Sequence, residues 1–429
     1  MSDLSRRLFV TGSAYLLAIL VLILSEAPLG SPVFFACAAT MTVGYVVMLR
    51  GMAGRPPASR RLLLTAFLFA LAFRIPPALA PVGADSDMVR YIWDGRVQRY
   101  GFSPYEVVPS DPRVAHTHTD ETRRMPSLRT MTPYPPGAQL FFRLVVSIGE
   151  SPIFMKIALV LCDLLTIAVL WRWLVALDLS PWLALIYAWN PLVILEVAHS
   201  GHIDALGALW ICASAYFLTR QRTRLATLTL VFAIATKLLP IVLVPLYWRR
   251  IRWTDGALAL AVGTLIYLPF SDGFRPPLGA VPSVVAHVRF NGPVFRTIAA
   301  VAPPQVAAGF ALLAGVAVAV WARKRLGRST PAAWAWPMAV SLICAPVIYP
   351  WYLLYFTPFL WSRGNVPLLV WTLTSLPVYL VWERSRHGAR WIVPWWIELP
   401  EFGLFLLATA LVLGIRASRS ERLPIDELV

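Results

Sequence analysis

The sequence predicts an all-α polytopic membrane protein. Three observations carry that class. Of the 429 residues, 58% are hydrophobic and only 14% charged. Mean hydropathy is +0.66. Apolar runs recur along the whole chain at lengths approaching the ~20 residues that cross a bilayer as helix. Too little polar sequence separates these runs to build a second, soluble unit, so residues 1–429 read as one integral-membrane domain. The longest polar interval is 82–137, and with its flanks it forms a large first loop over 82–152.

The elements follow in order. Arg6 and Arg7 precede an apolar run over 9–24, and the SEAPLGSPVF that follows offers no clear small-residue cleavage site, so the run reads as a retained first helix. Further runs occupy 32–49, 62–79, 153–174, 182–197, 205–218, 225–240, 238–248, 257–269, 307–321, 332–349, 352–361, 367–382 and 402–415. That makes about fourteen segments, expected as 12–14 transmembrane or half-membrane helices. Some are too short for a full crossing: 225–236 gives about 18 Å of helix against a hydrocarbon core of about 30 Å. It ends at Lys237 with Pro240 close behind, which predicts a broken pair meeting at Lys237. VIYPWY at 347–352 predicts a second break. Irregular backbone at membrane depth is tolerated where it is buried in protein or lines a wet cavity, so Lys237 is expected to face one.

Charge sets the orientation. With the N-terminus inside, every second connection is cytoplasmic. Those connections hold Arg50, Arg55, Arg60 and Arg61; Arg220, Arg222 and Arg224; Arg249, Arg250 and Arg252; and Arg323, Lys324, Arg325 and Arg328, as the positive-inside rule requires. Both termini are then cytoplasmic. The net charge of +16 is scattered through these short connections, which argues for topology and against nucleic acid as a partner. The four cysteines, Cys37, Cys162, Cys212 and Cys344, lie inside apolar runs and read as small hydrophobes.

The unusual polar residues collect on the opposite, extracytoplasmic side: the 82–137 interval, the 199–204 turn, the 272–296 connection, the 349–352 turn and the 383–401 connection. ATP and nucleotide sugars are absent there, so bond-forming chemistry needs a donor that arrives through the membrane. A lipid-linked donor meets that need.

DSDMVRYIWDGRVQRYGFSPY, residues 85–105, sets three carboxylates and three arginines directly behind an apolar run. In a helix starting near Ser86, Asp87, Arg90, Tyr91 and Asp94 share one face. A carboxylate there can take the proton of an attacking hydroxyl, and Asp87, with Asp85 as the alternative, is the candidate base. The competing reading has Asp85 or Ser86 capping the helix and Asp94 pairing with Arg90. Asp85-Ser86-Asp87 is also a D-x-D, a spacing that can hold a divalent metal between donor phosphates; a monophosphate donor makes that bridge unnecessary, and no cofactor is expected to be required.

In WNPLVILEVAHSGHIDAL, Glu196, His199, His202 and Asp204 fall within nine residues and suit binding of sugar hydroxyls or phosphate, with a metal site the lesser alternative. Lys237, Arg289 and Arg296 are candidates to hold a departing phosphate, against interfacial snorkelling as the competing reading. Asn291 in RFNGPVF and Tyr352 at the second break complete the binding set. Asp163, mid-helix, is expected to be paired inside the bundle. His116 and His118 read as loop histidines, and Trp391, Trp395 and Trp396 as an interfacial belt.

The motifs SDMVRYIWDGRV, GFSPY, YPPGAQLFF, WNPLVILEVAHSGHIDAL, ATKLLPIVLVP and RFNGPVF, in that order over about 74–300, resemble bacterial integral-membrane glycosyltransferases of the GT-C type, in particular mannosyltransferases using polyprenyl-phosphate-mannose. The last 130 residues match only in outline, through CAPVIYPWYLLYFTP. The resemblance implies a many-helix fold with a large first extracytoplasmic loop of amphipathic helices and a base near the start of that loop. It also implies inverting transfer from a polyprenyl-phosphate sugar to a glycolipid or glycan acceptor. Many relatives carry two adjacent acids where this chain has Ser86-Asp87 after Asp85. A transporter or lipid flippase also has broken helices and buried charge, but the sequence shows no inverted repeat and its ionisable residues favour one side.

Overall fold

The structure, a computed structural model, describes residues 3–52, 59–82, 86–273 and 275–420. Asp85 and Arg55 lie outside the described residues. Nineteen α-helices, one π-helical turn and several 3-10 segments form the regular structure of the described residues, and strand pairing among them is limited to the isolated bridges Asp272 to Arg275 and Phe290 to Val347. Among the described residues, eight helices are long and apolar enough to cross a membrane, or nine if one bent pair counts as a span. The chain is an all-α, multi-pass membrane protein.

Helices α1 (Asp3–Leu24) and α2 (Pro32–Met52) form an antiparallel pair, and α3 (Arg60–Ala72) with α4 (Ile75–Leu79) makes the next crossing. The loop contributes α5 (Asp87–Arg99) and α6 (Pro136–Ile148), which pack on each other. Then come α7 (Pro152–Ala176) and the short α8 (Leu185–Ala188) and α9 (Pro191–Val193), where the chain bends by 54° between Pro181–Ala188 and Pro191–His199. Pro191 forces the bend, because it lacks an N–H and clashes with the preceding turn. Asn190 caps the second half, its side chain accepting from the Leu192 N–H at 3.0 Å.

Two hairpins follow the same design. The first is α10 (Asp204–Thr219) leading to α11 (Thr223–Thr236), after which Lys237 is extended (φ −157°, ψ 145°) and the 3-10 segment Leu239–Tyr247 turns back. Thr223, at the start of α11, bonds Asp255 at 2.7 Å, and Arg250, just past the return, bonds the Leu326 carbonyl at 3.2 Å. Both feet therefore stand at the arginine-rich end of the bundle, with Lys237 at the tip.

Next are α12 (Trp253–Tyr267), α13 (Val281–His287), α14 (Pro293–Ala299) and α15 (Pro304–Arg325), then α16 (Pro331–Ile343). The chain after α16 runs non-helical to Tyr349 and returns as the 3-10 segment Pro350–Phe359. Phe359 stacks on Trp334 and meets Trp173 edge-on, which puts both feet of this second hairpin at the same end. The chain closes with α17 (Val366–Thr374), α18 (Leu380–Arg386) and α19 (Trp395–Ser420). The breaks expected at Lys237 and at VIYPWY are both present. Four of the apolar segments counted in the sequence are thus the arms of two half-depth hairpins rather than crossings.

The loop has a small core of its own: Val89, Trp93, Val97, Val107, Val114 and Met125 pack together beneath it. Helix α5 ends in a Schellman motif, with Gly101 at φ +84°, its N–H bonded to the Gln98 carbonyl and the Phe102 N–H to that of Val97, both at 3.2 Å. His118 stacks on Trp93 and spends its ring nitrogens on the Pro109 carbonyl (2.7 Å) and Thr122 (3.2 Å), so it serves the loop core.

Inside the bundle Asp163 is paired, as expected: Arg74 donates Nε to it and Nη1 to the carbonyls of Ala70 (2.7 Å) and Ala188 (2.9 Å). Both side chains are fully enclosed. Removing one partner of such a pair leaves an uncompensated charge, so Arg74→Met is expected to destabilise the fold by about 3–5 kcal/mol. Thermal unfolding in detergent checks this, and Arg74→Met/Asp163→Leu should recover most of the loss.

Candidate active site

The site is built where the loop helix meets the two hairpin tips. Ser86 caps α5, its Oγ accepting from the Met88 N–H at 3.3 Å, so Asp87 enters the first turn with its side chain uncommitted. The positive end of the helix dipole favours a carboxylate at that position. Asp87 is half-buried and has no hydrogen-bond or ion-pair partner among the described residues. Its charge acts on Tyr91, Tyr134, His202, Lys237, Tyr349, Tyr352 and Tyr379, and these come from six separate stretches of chain. Asp87 is thus the common neighbour of the cluster.

Among the described residues, the two other acids of this cluster, Glu196 and Asp204, both have partners. Glu196, fully buried, accepts from the Tyr379 hydroxyl and lies 2.9 Å from His202 Nδ1. It is presented by a π-helical turn, Ile194–His199, whose wide backbone lets the Ser200 N–H reach Leu195 at 2.9 Å and the His202 N–H reach the Glu196 carbonyl at 2.9 Å. Such π segments cost stability and cluster at functional sites. Asp204, buried at the start of α10, accepts from Lys237 Nζ at 2.5 Å. The Lys237 ammonium also sits 3.5 Å from the centre of the Tyr352 ring, while 21% of the side chain stays exposed.

Aromatic side chains wall the cluster. His202 stacks on Trp351 at 4.0 Å, and Trp351 on Tyr349 at 4.4 Å. Tyr91 stacks on Phe142 at 4.5 Å and meets Tyr134 edge-on at 5.0 Å. Apart from Glu196 Oε2 and His202 Nδ1, which face each other at 2.9 Å, three buried polar atoms here have no hydrogen-bond partner among the described residues: His199 Nδ1, Asp204 Oδ2 and the Tyr355 hydroxyl. Each is an open valence in an otherwise satisfied wall, which in a native protein points to a functional use.

Gly201 lets the pieces close. Its φ is +74°, and a Cβ there would overlap Met88 Cε, the side chain next to Asp87. A Gly201→Ala substitution is therefore expected to cost about 1–3 kcal/mol of stability from backbone strain alone. It should also lower turnover more than the fraction of folded protein, measured on detergent-solubilised enzyme.

Residues 12–251, more than half of the chain, match the family described as alpha-(1->6)-mannopyranosyltransferase, N-terminal domain. The chain belongs to this family. It is a GT-C mannosyltransferase, so the protein is a membrane-embedded glycosyltransferase. No curated protein and no solved structure matches it. The match holds Asp87, Glu196, His199, His202, Asp204 and Lys237; the second hairpin tip, with Trp351 and Tyr352, lies beyond it.

Five residues expected to bind substrate in this mannosyltransferase bond other parts of the protein, although Arg90 Nη2 and Asn291 Oδ1 remain without a partner among the described residues. Arg90 and Asp94 pair at 2.7 Å, with Arg90 also bonded to the Thr130 carbonyl (2.9 Å) and Asp94 to Gln139 (2.9 Å), which ties α5 to the loop and to α6. Arg289 folds back on the carbonyls of Val285, Ala286 and Val288 and so caps its own helix, α13. Arg296 forms a bidentate pair with Glu398 at 3.1 and 2.7 Å. Asn291 donates to buried Glu401 at 2.9 Å. Arg90, Asp94 and Arg289 find partners on or beside their own helices, whereas Arg296 and Asn291 pair with α19, more than 100 residues away.

The sequence reading passed over Tyr134, Trp351, Tyr355 and Tyr379. Tyr134 stands in the quoted YPPGAQLFF and Trp351 in VIYPWY, so turn prolines beside aromatics were the available signal. Tyr379 gave none, because only the folded chain sets it against Glu196. Trp391, read as part of an interfacial belt, is exposed and also meets Trp382 at 4.6 Å.

Proposed function

We propose that the mannosyltransferase moves mannose from a polyprenyl-phosphate donor to a glycolipid or glycan acceptor on the extracytoplasmic face, with inversion. One observation carries the reading: among the described residues, Asp87 is the carboxylate left without a partner at the meeting point of α5, the π turn and both hairpin tips. A general base must be free to accept a proton; Glu196 is held by Tyr379 and His202, and Asp204 gives one oxygen to Lys237.

In this reading Asp87 takes the proton of the acceptor hydroxyl as that oxygen forms the new bond to the anomeric carbon. The bond from that carbon to the phosphate oxygen breaks on the opposite face, and the electron pair leaves with the lipid phosphate. Lys237 supplies the fixed positive charge where negative charge builds on that phosphate. The open valences of His199, Asp204 and Tyr355 bind sugar hydroxyls, and the ring faces of Tyr352 and Trp351 exclude water. Glu196 and Tyr91 position the wall, Glu196 through His202 and Tyr379, Tyr91 through the Ile203 N–H it accepts from at 3.4 Å. This work needs no metal.

The arginine-rich feet of both hairpins support the sidedness, since positive connections stay in the cytoplasm. A multi-pass protein oriented this way in a bacterial inner membrane keeps both termini inside and turns Asp87 outward. Purified protein given labelled polyprenyl-phosphate-mannose should transfer mannose to a membrane glycolipid extract, and the product should have the anomeric configuration opposite to the donor. Transfer from a nucleotide-mannose in the absence of lipid donor, or retained configuration, would overturn the reading.

A further inference from the structure

Both hairpin tips reach the site, but they are held differently. The tip at Lys237 has its own ion pair to Asp204, whereas the approach to the second tip, 345–349, is irregular backbone. Two polar groups of that stretch are met by one residue: Phe290 donates its N–H to the Pro346 carbonyl at 3.0 Å and accepts from the Ile348 N–H at 2.9 Å. The next two residues close the same turn. Asn291 has φ +53°, a left-handed conformation that asparagine tolerates better than most residues, and a Cβ on Gly292 would lie 2.5 Å from the Ala345 carbonyl. The 290–292 strip is therefore wedged against the tip.

Asn291 fastens this strip to the bundle. Its Nδ2 donates to Glu401 Oε2 at 2.9 Å, and Glu401 Oε1 accepts from Trp371 Nε1 at 2.9 Å. Asn291 and Glu401 are only 2% and 1% exposed. No cation meets Glu401 among the described residues, so its oxygens depend on these two donors, and enclosing such a carboxylate carries a cost.

From the strip the contacts run on to the chemistry. The Phe290 ring packs on Tyr349 at 4.5 Å, Tyr349 stacks on Trp351 at 4.4 Å, Trp351 on His202 at 4.0 Å, and His202 faces Glu196 at 2.9 Å. Phe290 and Val347 also share a small core with Val378, Val381, Val393 and Ile397. The last helix, α19, thus reaches the site through Asn291, and both Asn291 and Glu401 lie beyond the stretch matched to the family.

We infer that Asn291 and Glu401 form a strut that sets the second hairpin tip over the site and so keeps water from competing with the acceptor. Both are positioning residues, acting through Phe290 and the tip aromatics. The inference rests on the transfer reaction and on the water-excluding role of Trp351 and Tyr352 proposed above. With the tip loosened, a water takes the place of the acceptor hydroxyl. Its oxygen bonds the anomeric carbon, Asp87 takes its proton, and the phosphate leaves with the electron pair of the broken bond, giving free mannose and the lipid phosphate.

The test is the ratio of donor hydrolysis to transfer, with labelled polyprenyl-phosphate-mannose as donor and a membrane glycolipid extract as acceptor. Asn291→Gly keeps the left-handed turn and removes only the amide, and Glu401→Leu removes the acceptor at the other end. Each is expected to raise the ratio about tenfold, the size of one hydrogen bond to a charged group. The double variant should be no worse than Glu401→Leu alone, because both changes remove the same bond. Glu401→Gln should stay near wild type. Its amide oxygen still accepts from Trp371, and once the Asn291 amide flips, its NH2 donates to Asn291 Oδ1, which has no partner among the described residues. Arg74→Met loses stability away from the tip, so below its melting temperature it should leave the ratio unchanged.

Hydrogen–deuterium exchange over 345–349 reads the strut without any donor. It should quicken in Asn291→Gly and Glu401→Leu and hold in Glu401→Gln and Arg74→Met. An unchanged ratio in folded Asn291→Gly and Glu401→Leu, or an equal rise in Arg74→Met, would overturn the strut and leave the transfer reading intact. Wild-type protein that turns over no lipid donor would overturn that reading, and unchanged exchange in the variants would then overturn the strut as well.

Discussion

Asp87→Asn is expected to lower kcat about a hundred- to ten-thousand-fold, the usual contribution of a positioned general base, with little change in KM for the lipid donor. The substitution is nearly isosteric, and Asp87 has no partner to lose among the described residues, so thermal stability should hold. That combination is diagnostic. A carboxylate that stabilises the fold would lower the melting temperature along with activity, as amide substitutions at Asp94 or Asp204 should. Initial rates over a range of donor concentrations, with a melting curve on the same preparation, separate the two cases.

Lys237→Met is the second large effect, and it should appear in both measurements. The salt bridge to Asp204 joins an enclosed carboxylate to a lysine that is 21% exposed. Breaking a buried pair costs about 3–5 kcal/mol, and partial exposure of the lysine puts this case toward the lower end. Loss of the fixed charge facing the leaving phosphate should lower kcat by about a further hundred- to thousandfold. Lys237→Met/Asp204→Asn distinguishes the two roles: removing the stranded carboxylate charge should restore the melting temperature and leave turnover low. A double variant that regains turnover with stability would make Lys237 a structural residue only.

The fold was legible because bilayer physics writes itself into composition. Apolar runs, their lengths and the arginines between them predicted the crossings, and the shortfall of 225–236 together with Pro240 predicted the tip at Lys237. The same logic found the break at 347–352. Less visible was the fate of the ionisable groups. Helical spacing put Asp87 and Asp94 on one face and offered the Arg90–Asp94 pair as the competing reading, which the structure shows. Only folding reveals that Gln139 also closes on Asp94 while Asp87 has no partner among the described residues. Arg296 and Glu398 stand 102 residues apart, and Asn291 and Glu401 110, so no local pattern announces those pairs. Glu196 is an intermediate case: its neighbourhood was conspicuous in sequence, but the π turn that aims it at Tyr379 was not.

The central claim is that Asp87, the carboxylate free among the described residues at the junction of the loop helix and the hairpin tips, performs the chemistry. It is tested most directly by assaying Asp87→Asn, Asp85→Asn, Asp94→Asn, Glu196→Gln and Asp204→Asn side by side for mannose transfer from polyprenyl-phosphate-mannose, each rate normalised to folded protein. Only Asp87→Asn should lose turnover while melting like the wild type. Retained turnover in Asp87→Asn, or loss in Asp85→Asn with full stability, would contradict it.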